Sequence, residues 1–313
     1  MRNAFEKKMP KRKKALLFFN SKSGHSREEY HCDLFRAFFD QKQIDLDLVY
    51  VPDEFERIRT RIDTALSEDV DFLIVAGGDG TVSMVGTHLV GKNASLGIVP
   101  LGTGNLLAKA LHIPQDIEQA LELIVSKNPN KVCIDTFKLD ERNFLLNISV
   151  GLSPKLMDSV HSHQKQRMGV FAYLIYFFQQ VLGLKLHKVF IDCDQRKFSV
   201  MASEVLITNI STAGVDPLTW SENIFLDDGI MDLLIFRAAN VWDTIRVARS
   251  IIFHKEKINP LIKFFKVREY CVVETQAPMT TQADGDVIGK TPFKIEVIPN
   301  SLSIIAGNNP QEN

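Results

Sequence analysis

The sequence predicts a chain of two parts: an α/β part built on a parallel sheet over residues 1–135, then a mainly-β, antiparallel, sandwich-like part over 136–299. Two observations predict it. From Ala15 to about Leu139, short apolar runs alternate with longer amphipathic ones, the rhythm of βα units. Beyond Ser126 the texture changes to short alternating runs separated by turn clusters such as DCDQRK and ADGD, which suits antiparallel strands. The boundary is soft because no Pro/Ser-rich linker marks it, and the tail from about 300 to 313 is left free to return to the first part.

In the first part the strands are expected at Ala15–Phe19, Leu46–Val51, Phe72–Ala76 and Leu96–Val99. FLIVAG and LGIVP are apolar without interruption, as strands buried on both faces of a parallel sheet must be. Between them the apolar positions recur at helical spacing over Glu29–Gln41, Glu54–Leu66, Val82–Val90 and Leu106–Leu111, with a further helix over Asp116–Ser126. In the second part strands are expected at Phe144–Val150, Val189–Asp192, Phe198–Met201, Glu204–Thr208, Met231–Phe236, Tyr270–Glu274, Phe293–Ile298 and Leu302–Ala306. Two helices interrupt them, Val170–Val181 and Val241–Phe253.

Charge and cysteine usage narrow the function classes. With 37 basic and 38 acidic residues the net charge is −1, so no global field favours nucleic acid. The local excess is at the start, where Lys7, Lys8, Lys11, Arg12, Lys13 and Lys14 precede an apolar run of five residues. That run is shorter than the roughly 7 to 15 residues of a signal peptide, so it reads as a first strand. The basic cluster reads as a solvated terminus or as an anchor for anionic lipid head groups. The stretch Val170–Phe178 is far short of the ~20 residues of a spanning helix. Cys32, Cys133, Cys193 and Cys271 are widely spaced with no CxxC, which suggests neither zinc nor a disulfide framework and implies a cytoplasmic setting.

The segment FLIVAGGDGTVSM, Phe72 to Met84, is a buried strand entering a glycine-rich turn and then a helix. Gly77, Gly78 and Gly80 allow close approach of backbone to a ligand, and the amides of the turn and of Thr81 can hold phosphate oxygens. Asp79 in such a turn suggests a cation, Mg²⁺ on nucleotide phosphates. The bland alternative is a tight strand-to-helix turn. No GxxxxGK[ST] or complete GxGxxG is present, which excludes a P-loop and an ordinary dinucleotide fingerprint.

A second unit, IVPLGTGNLLAKAL, repeats the device from Ile98 to Leu111 and offers Thr103 and Asn105. A third loop, Asn20, Ser21, Ser23 and Gly24, follows the first strand. Loops at the carboxyl ends of neighbouring parallel strands converge on the crevice where open α/β sheets bind ligands.

NSKSG, GGDGT and PLGTGN, in that order and spacing, resemble the catalytic domain of diacylglycerol kinases, shared with sphingosine kinases and bacterial lipid kinases, with NAD kinases more distant. KVCID, SVGL, FLDDGIMDLLIF and QADGDV extend the resemblance over nearly the whole chain. It implies an ATP- and Mg²⁺-dependent lipid kinase, with ATP against Asn20 to Gly24, Gly78 to Met84 and Thr103. It implies that Asp286, at the position of the family's acidic base, takes the proton of the lipid hydroxyl; ADGD alone reads equally as an exposed hairpin turn. It also implies a structural Mg²⁺ at Phe225, Asp228 and Ile230, where DDG alone reads as a turn before a strand. A lipid acceptor, diacylglycerol or a relative, and peripheral membrane contact follow from it, and a homodimer is left open.

Met84, Leu106 and Tyr50 stand where the family carries Glu, Asp and Thr, and Asp286 is one methylene shorter than the usual Glu. NAD phosphorylation, or a nucleotide- or lipid-binding regulator with weakened catalysis, are therefore the alternatives. His161 and His163 lack ligand partners at metal spacing. The aromatic residues Phe171, Tyr173, Tyr176, Phe177 and Phe178 read as core or as an acyl-chain groove.

Overall fold

The computed structural model describes residues 12–20, 28–51, 55–151, 185–212 and 220–308. Ser21, Ser23, Gly24, the helix expected over 170–181 with its aromatic cluster, His161, His163 and the lysines before residue 12 lie outside the described residues.

The first part is the α/β unit its rhythm predicts. Strands β1 (Lys13–Phe19), β2 (Ile44–Tyr50), β3 (Phe72–Gly77) and β4 (Ser95–Pro100) run parallel in the order β2-β1-β3-β4. Between them come α1 (Glu28–Gln41), α2 (Phe55–Ser67) and α3 (Asp79–Gly86), with α4 (Leu106–Ala110) and α5 (Ile117–Val125) after β4. The sheet is buried by helix faces of helical period: α1 contributes Cys32, Phe35, Phe38 and Phe39, and α5 contributes Ala120, Leu121 and Ile124. Asp116 starts α5 by accepting the amide of Gln119 at 3.0 Å. Because β1 feeds first to β2 and later neighbours β3, the strand order reverses there, at the carboxyl ends where the glycine turns lie.

The sheet does not end at β4. The last strand, β16 (Phe293–Ala306), pairs parallel to β4 through Ser303 and Ile304 and antiparallel to β5 (Asn130–Leu139) and β13 (Tyr270–Thr275). Beyond β13 the ten-stranded sheet continues through β8 (His187–Cys193) and β9 (Arg196–Ala202), while β6 (Arg142–Phe144) pairs β5. A second sheet of six strands has the order β12-β11-β10-β7-β14-β15. Its members are β7 (Asn147–Val150), β10 (Glu204–Thr208), β11 (Met231–Phe236), β12 (Ile262–Val267), β14 (Thr280–Ala283) and β15 (Asp286–Lys290).

Alternation along β11 explains the layering. Met231, Leu233 and Ile235 join a core with Ile191, Val273 and Ile295 of the first sheet, which makes the sandwich. Leu234 and Phe236 face the other way and pack with Val247 and Ile251 of α6 (Val241–Ile252).

The departures from expectation have local causes. α3 begins at Asp79 rather than Val82 because Gly78 is already its N-cap, so GDGT belongs to the helix and not to a loop before it. Phe293–Ile298 and Leu302–Ala306 are one strand, since only a shift of register between Ile298 and Leu302 separates them. β5 escapes the periodicity because Asp135 and Thr136 occupy fully buried positions in it. Among the described residues no helix is long and apolar enough to cross a membrane.

Candidate active site

The two glycine turns touch each other through their backbones. A Cβ on Gly102 would lie 2.6 Å from Gly78 Cα, so neither turn has room for a side chain at the contact. The amide of Leu101 donates to the Gly77 carbonyl at 3.0 Å, which continues the β3·β4 pairing into the turns. The loop after β1 joins them: Asn20 N–H donates to Ala76 O at 3.0 Å, and Asn20 Nδ2 donates to Thr81 Oγ1 at 2.8 Å. Thr103 and Gly80 are exposed at the surface of this junction.

Asp79 and Asn105 have structural work that the sequence does not announce. Asn105, at φ +50°, folds its side chain back on Gly102, accepting that residue's amide at 2.9 Å and donating to its carbonyl at 3.0 Å. It therefore cannot cap α4. Asp79 does so from the neighbouring turn, accepting the amide of Leu106 at 2.6 Å. Burial pushes the Asp79 carboxyl above its ordinary pKa, and the amides of Leu106, Asn105 and Leu107 oppose that shift. A Cβ on Gly104 would sit 2.7 Å from Asp79 Oδ2, so that glycine is required by the carboxylate.

The acidic turn reaches the same place from the second sheet. Ala283 pairs with Asp286 across β14·β15, so Asp284 and Gly285 are a two-residue hairpin turn, both at positive φ (+48° and +96°). Asp284 turns inward: its carboxylate accepts the hydroxyl of Ser83 on α3 and the amides of Leu145, Leu146 and Asn147 at 2.8, 2.8 and 3.1 Å. The residue keeps some surface, yet its oxygens are enclosed, and burial raises the carboxyl pKa against those four donors. Asp286, at the start of β15, is exposed. The sequence singles out Asp286 and passes over Asp284; an acid in the first position of an Asp-Gly hairpin turn was the available signal. Next to this turn, Ser149 Oγ and Gln282 Oε1, on residues paired across β7·β14, are buried without a hydrogen-bond partner among the described residues.

Met84 and Leu106 are apolar contacts of the first core, and Tyr50 shares a hydrogen bond of 3.1 Å with Cys32 Sγ. Met84 and Leu106 are thus accommodated by packing, while Tyr50 stays half exposed with its hydroxyl on Cys32.

Phe225, Asp228 and Ile230 lie together in the turn before β11. Asp228 accepts the amide of Ile230 at 3.1 Å. Asp135 braces the turn, accepting Gly229 N–H at 2.6 Å and Asn300 N–H at 2.7 Å. Burial, then the negative charges of Asp228 and Asp227, raise the pKa of Asp135. Among the described residues no three His, Cys, Asp or Glu side chains come together to hold a metal. The donors fit a hydrated hard cation held by one carboxylate, main-chain carbonyls and water, the set that suits Mg²⁺, and do not fit a cage of side chains.

Comparison with known proteins gives two matches in series. Residues 14–136 match the model of the diacylglycerol kinase catalytic domain. Residues 147–306 match that of the YegS C-terminal NAD kinase beta sandwich-like domain. An uncharacterized protein of Synechocystis is 29% identical over 98% of this chain and 72% of its own length. A diacylglycerol kinase of Staphylococcus saprophyticus is 27% identical over 95% of this chain and 96% of its own. A crystal structure of a diacylglycerol kinase from Bacillus anthracis aligns at TM-score 0.69 and 22% identity, over 96% of this chain and 99% of that one. Another Bacillus anthracis chain aligns at TM-score 0.77 and 24% identity over 99% of each. At these identities the structural likeness speaks for the fold.

Proposed function

We propose that this chain, which belongs to the family that joins a diacylglycerol kinase catalytic domain to a YegS-type β-sandwich domain, transfers the γ-phosphoryl group of ATP to the hydroxyl of a lipid. The observation that carries the reading is the junction of the two glycine turns, with the acidic hairpin tied to the helix that leaves the first of them. Gly78 and Gly102 are in backbone contact, Asp79 is bonded to the start of α4, and the hairpin of Asp284 is bonded to Ser83.

In this reading the nucleotide phosphates lie against the exposed Gly80 and Thr103 of the two glycine turns and against Asn20, while Thr81, buried and bonded to Asn20, holds that side chain in place. The lipid hydroxyl oxygen attacks the γ-phosphorus as the bond to the β,γ-bridging oxygen breaks, ADP leaves with that electron pair, and the hydroxyl proton passes to a carboxylate. Asp286 is the carboxylate assigned to that proton, because it is exposed and stands two residues after the buried Asp284. Asp284 is a positioning residue: its oxygens are committed to four donors, which leaves it unable to act as a mobile base. Asp79 likewise holds α4 against α3 and acts on phosphates through that geometry. Bound Mg²⁺ would offset phosphate charge, and Asp228 with the carbonyls of Phe225 and Ile230 would hold a second, structural ion.

Diacylglycerol is the acceptor favoured by the named relatives. Incubation of the chain with γ-labelled ATP, Mg²⁺ and a total lipid extract is expected to label one lipid class. Label on NAD instead, or on nothing, contradicts the proposal.

A further inference from the structure

Helix α6 buries one apolar stripe and carries exposed aromatic side chains at the two ends of the opposite face. Its inner stripe packs on the outer face of the second sheet through Val247 and Ile251, against Leu234, Phe236 and Ile262. Its outer stripe, at positions 242, 246 and 249 and at the C-cap residue 253, reads Trp, Arg, Arg, Phe, the spacing that keeps side chains on one face of a helix. Trp242 is 73% exposed, Phe253 is 62% exposed, and Ile258 in the short turn just beyond is 79% exposed. These are the three most exposed large hydrophobic side chains among the described residues. A water-facing stripe is ordinarily polar, and large apolar side chains left together in water mark a contact surface.

The exposed charge interleaved with them is mainly positive. Arg246, Arg249, Lys255, Lys257 and Lys263 are all exposed. The acids within the same stretch are Asp243 and Glu256; Glu256 is buried, and Asp243 takes the amide of Ala239 and the side chain of Asn240 on one oxygen and pairs with Arg246 at 3.5 Å through the other, which leaves Arg249, Lys255, Lys257 and Lys263 as the cations of the surface. Glu222, 3.6 Å from His254, is an exposed acid in contact with the stretch. From Trp242 to Phe253 the stripe runs roughly 16 Å at the rise of an α-helix. Exposed aromatic and aliphatic tips flanked by Lys and Arg match a surface that is anionic at the top and apolar just beneath.

We propose that α6 and the turn after it dock the chain on an anionic bilayer, with Trp242, Phe253 and Ile258 entering the head-group region and the neighbouring Arg and Lys side chains meeting lipid phosphates. The phosphoryl-transfer reading gives such a surface its use, but the two fail separately, because vesicle binding is measured without turnover.

The test is co-sedimentation of the full chain with vesicles of phosphatidylcholine alone and of phosphatidylcholine mixed with phosphatidylglycerol. Binding is expected to the mixed vesicles and to weaken with salt. The Trp242→Ala, Phe253→Ala, Ile258→Ala variant is expected to bind them about tenfold more weakly or less. Its melting temperature should be unchanged, since all three side chains face water. Of the two tryptophans, Trp220 and Trp242, the second reports insertion: in a Trp220→Phe variant the emission should shift to the blue with mixed vesicles. Three results overturn the proposal. The first is no vesicle binding. The second is binding unchanged by the triple substitution, which would move the contact to the basic N-terminal run or another face. The third is self-association lost in the triple variant without vesicle binding, which would make the patch a contact between copies.

Discussion

Ser83, on the helix that leaves the first glycine turn, donates its hydroxyl to Asp284 at the tip of a hairpin 201 positions later. The same carboxylate collects three consecutive amides, Leu145 to Asn147, where the chain enters β7. One enclosed carboxylate thus ties the hairpin that carries Asp286 to the helix leaving the first glycine turn.

Replacing Asp284 by Asn would set an N–H₂ group against a row of N–H and O–H donors. The loss of stability is expected to be about 2–4 kcal/mol, the range for breaking a buried charge-assisted network. Chemical denaturation measures it. A loss below half a kilocalorie would mean that the hairpin is held elsewhere.

The pH dependence of that loss has a sign. Burial is the largest influence on the Asp284 carboxyl and raises it above its ordinary 3.8. An acid with a raised folded pKa contributes stability that is fully present below the unfolded value and is lost as pH rises through the folded one. The gap between wild type and Asp284→Asn should therefore narrow from about pH 4 towards neutrality. A gap that widens with pH would show that hydrogen bonding outweighs burial at this carboxyl.

Gly102→Ala would place a methyl group 2.6 Å from Gly78 Cα and 2.8 Å from Asn105 Oδ1. Neither neighbour is the free end of a flexible chain, so the turns must part. A cost of about 1–3 kcal/mol is expected, with weakened nucleotide binding read by titration. Gly80→Ala, with no atom within 4 Å, is the matched control and should leave the melting temperature in place.

If the turn before β11 holds Mg²⁺, adding the ion should raise the melting temperature in proportion to the logarithm of its concentration above Kd. Asp228→Ala should abolish the rise while the wild-type chain without Mg²⁺ and the variant melt alike to within a few degrees. A rise that survives the substitution would place the ion elsewhere.

What could be read in advance follows from which interactions are local. The strands of the first part are legible because FLIVAG and LGIVP must be buried on both faces, and α1 and α5 because their buried positions recur with helical period. β5 is not, because Asp135 sits inside it, and its burial makes sense only once the amides of Gly229 and Asn300 arrive from 94 and 165 positions away. At the site, the glycine turns announce themselves by composition. The inward orientation of Asp284 does not, since both acids of ADGD fit a hairpin and only the meeting with Ser83 and β7 tells them apart. Asp79 reads from sequence as a carboxylate open to a cation for the same reason: its partner, the amide of Leu106, lies 27 positions away on another turn.

The most direct test compares wild type with Asp286→Asn in transfer of label from γ-labelled ATP to extracted lipid, with ATP affinity measured alongside. The assignment of Asp286 predicts labelled lipid from the wild type, none from the variant, and nearly equal ATP affinity in both. Undiminished transfer by the variant, or no transfer by the wild type, would contradict it.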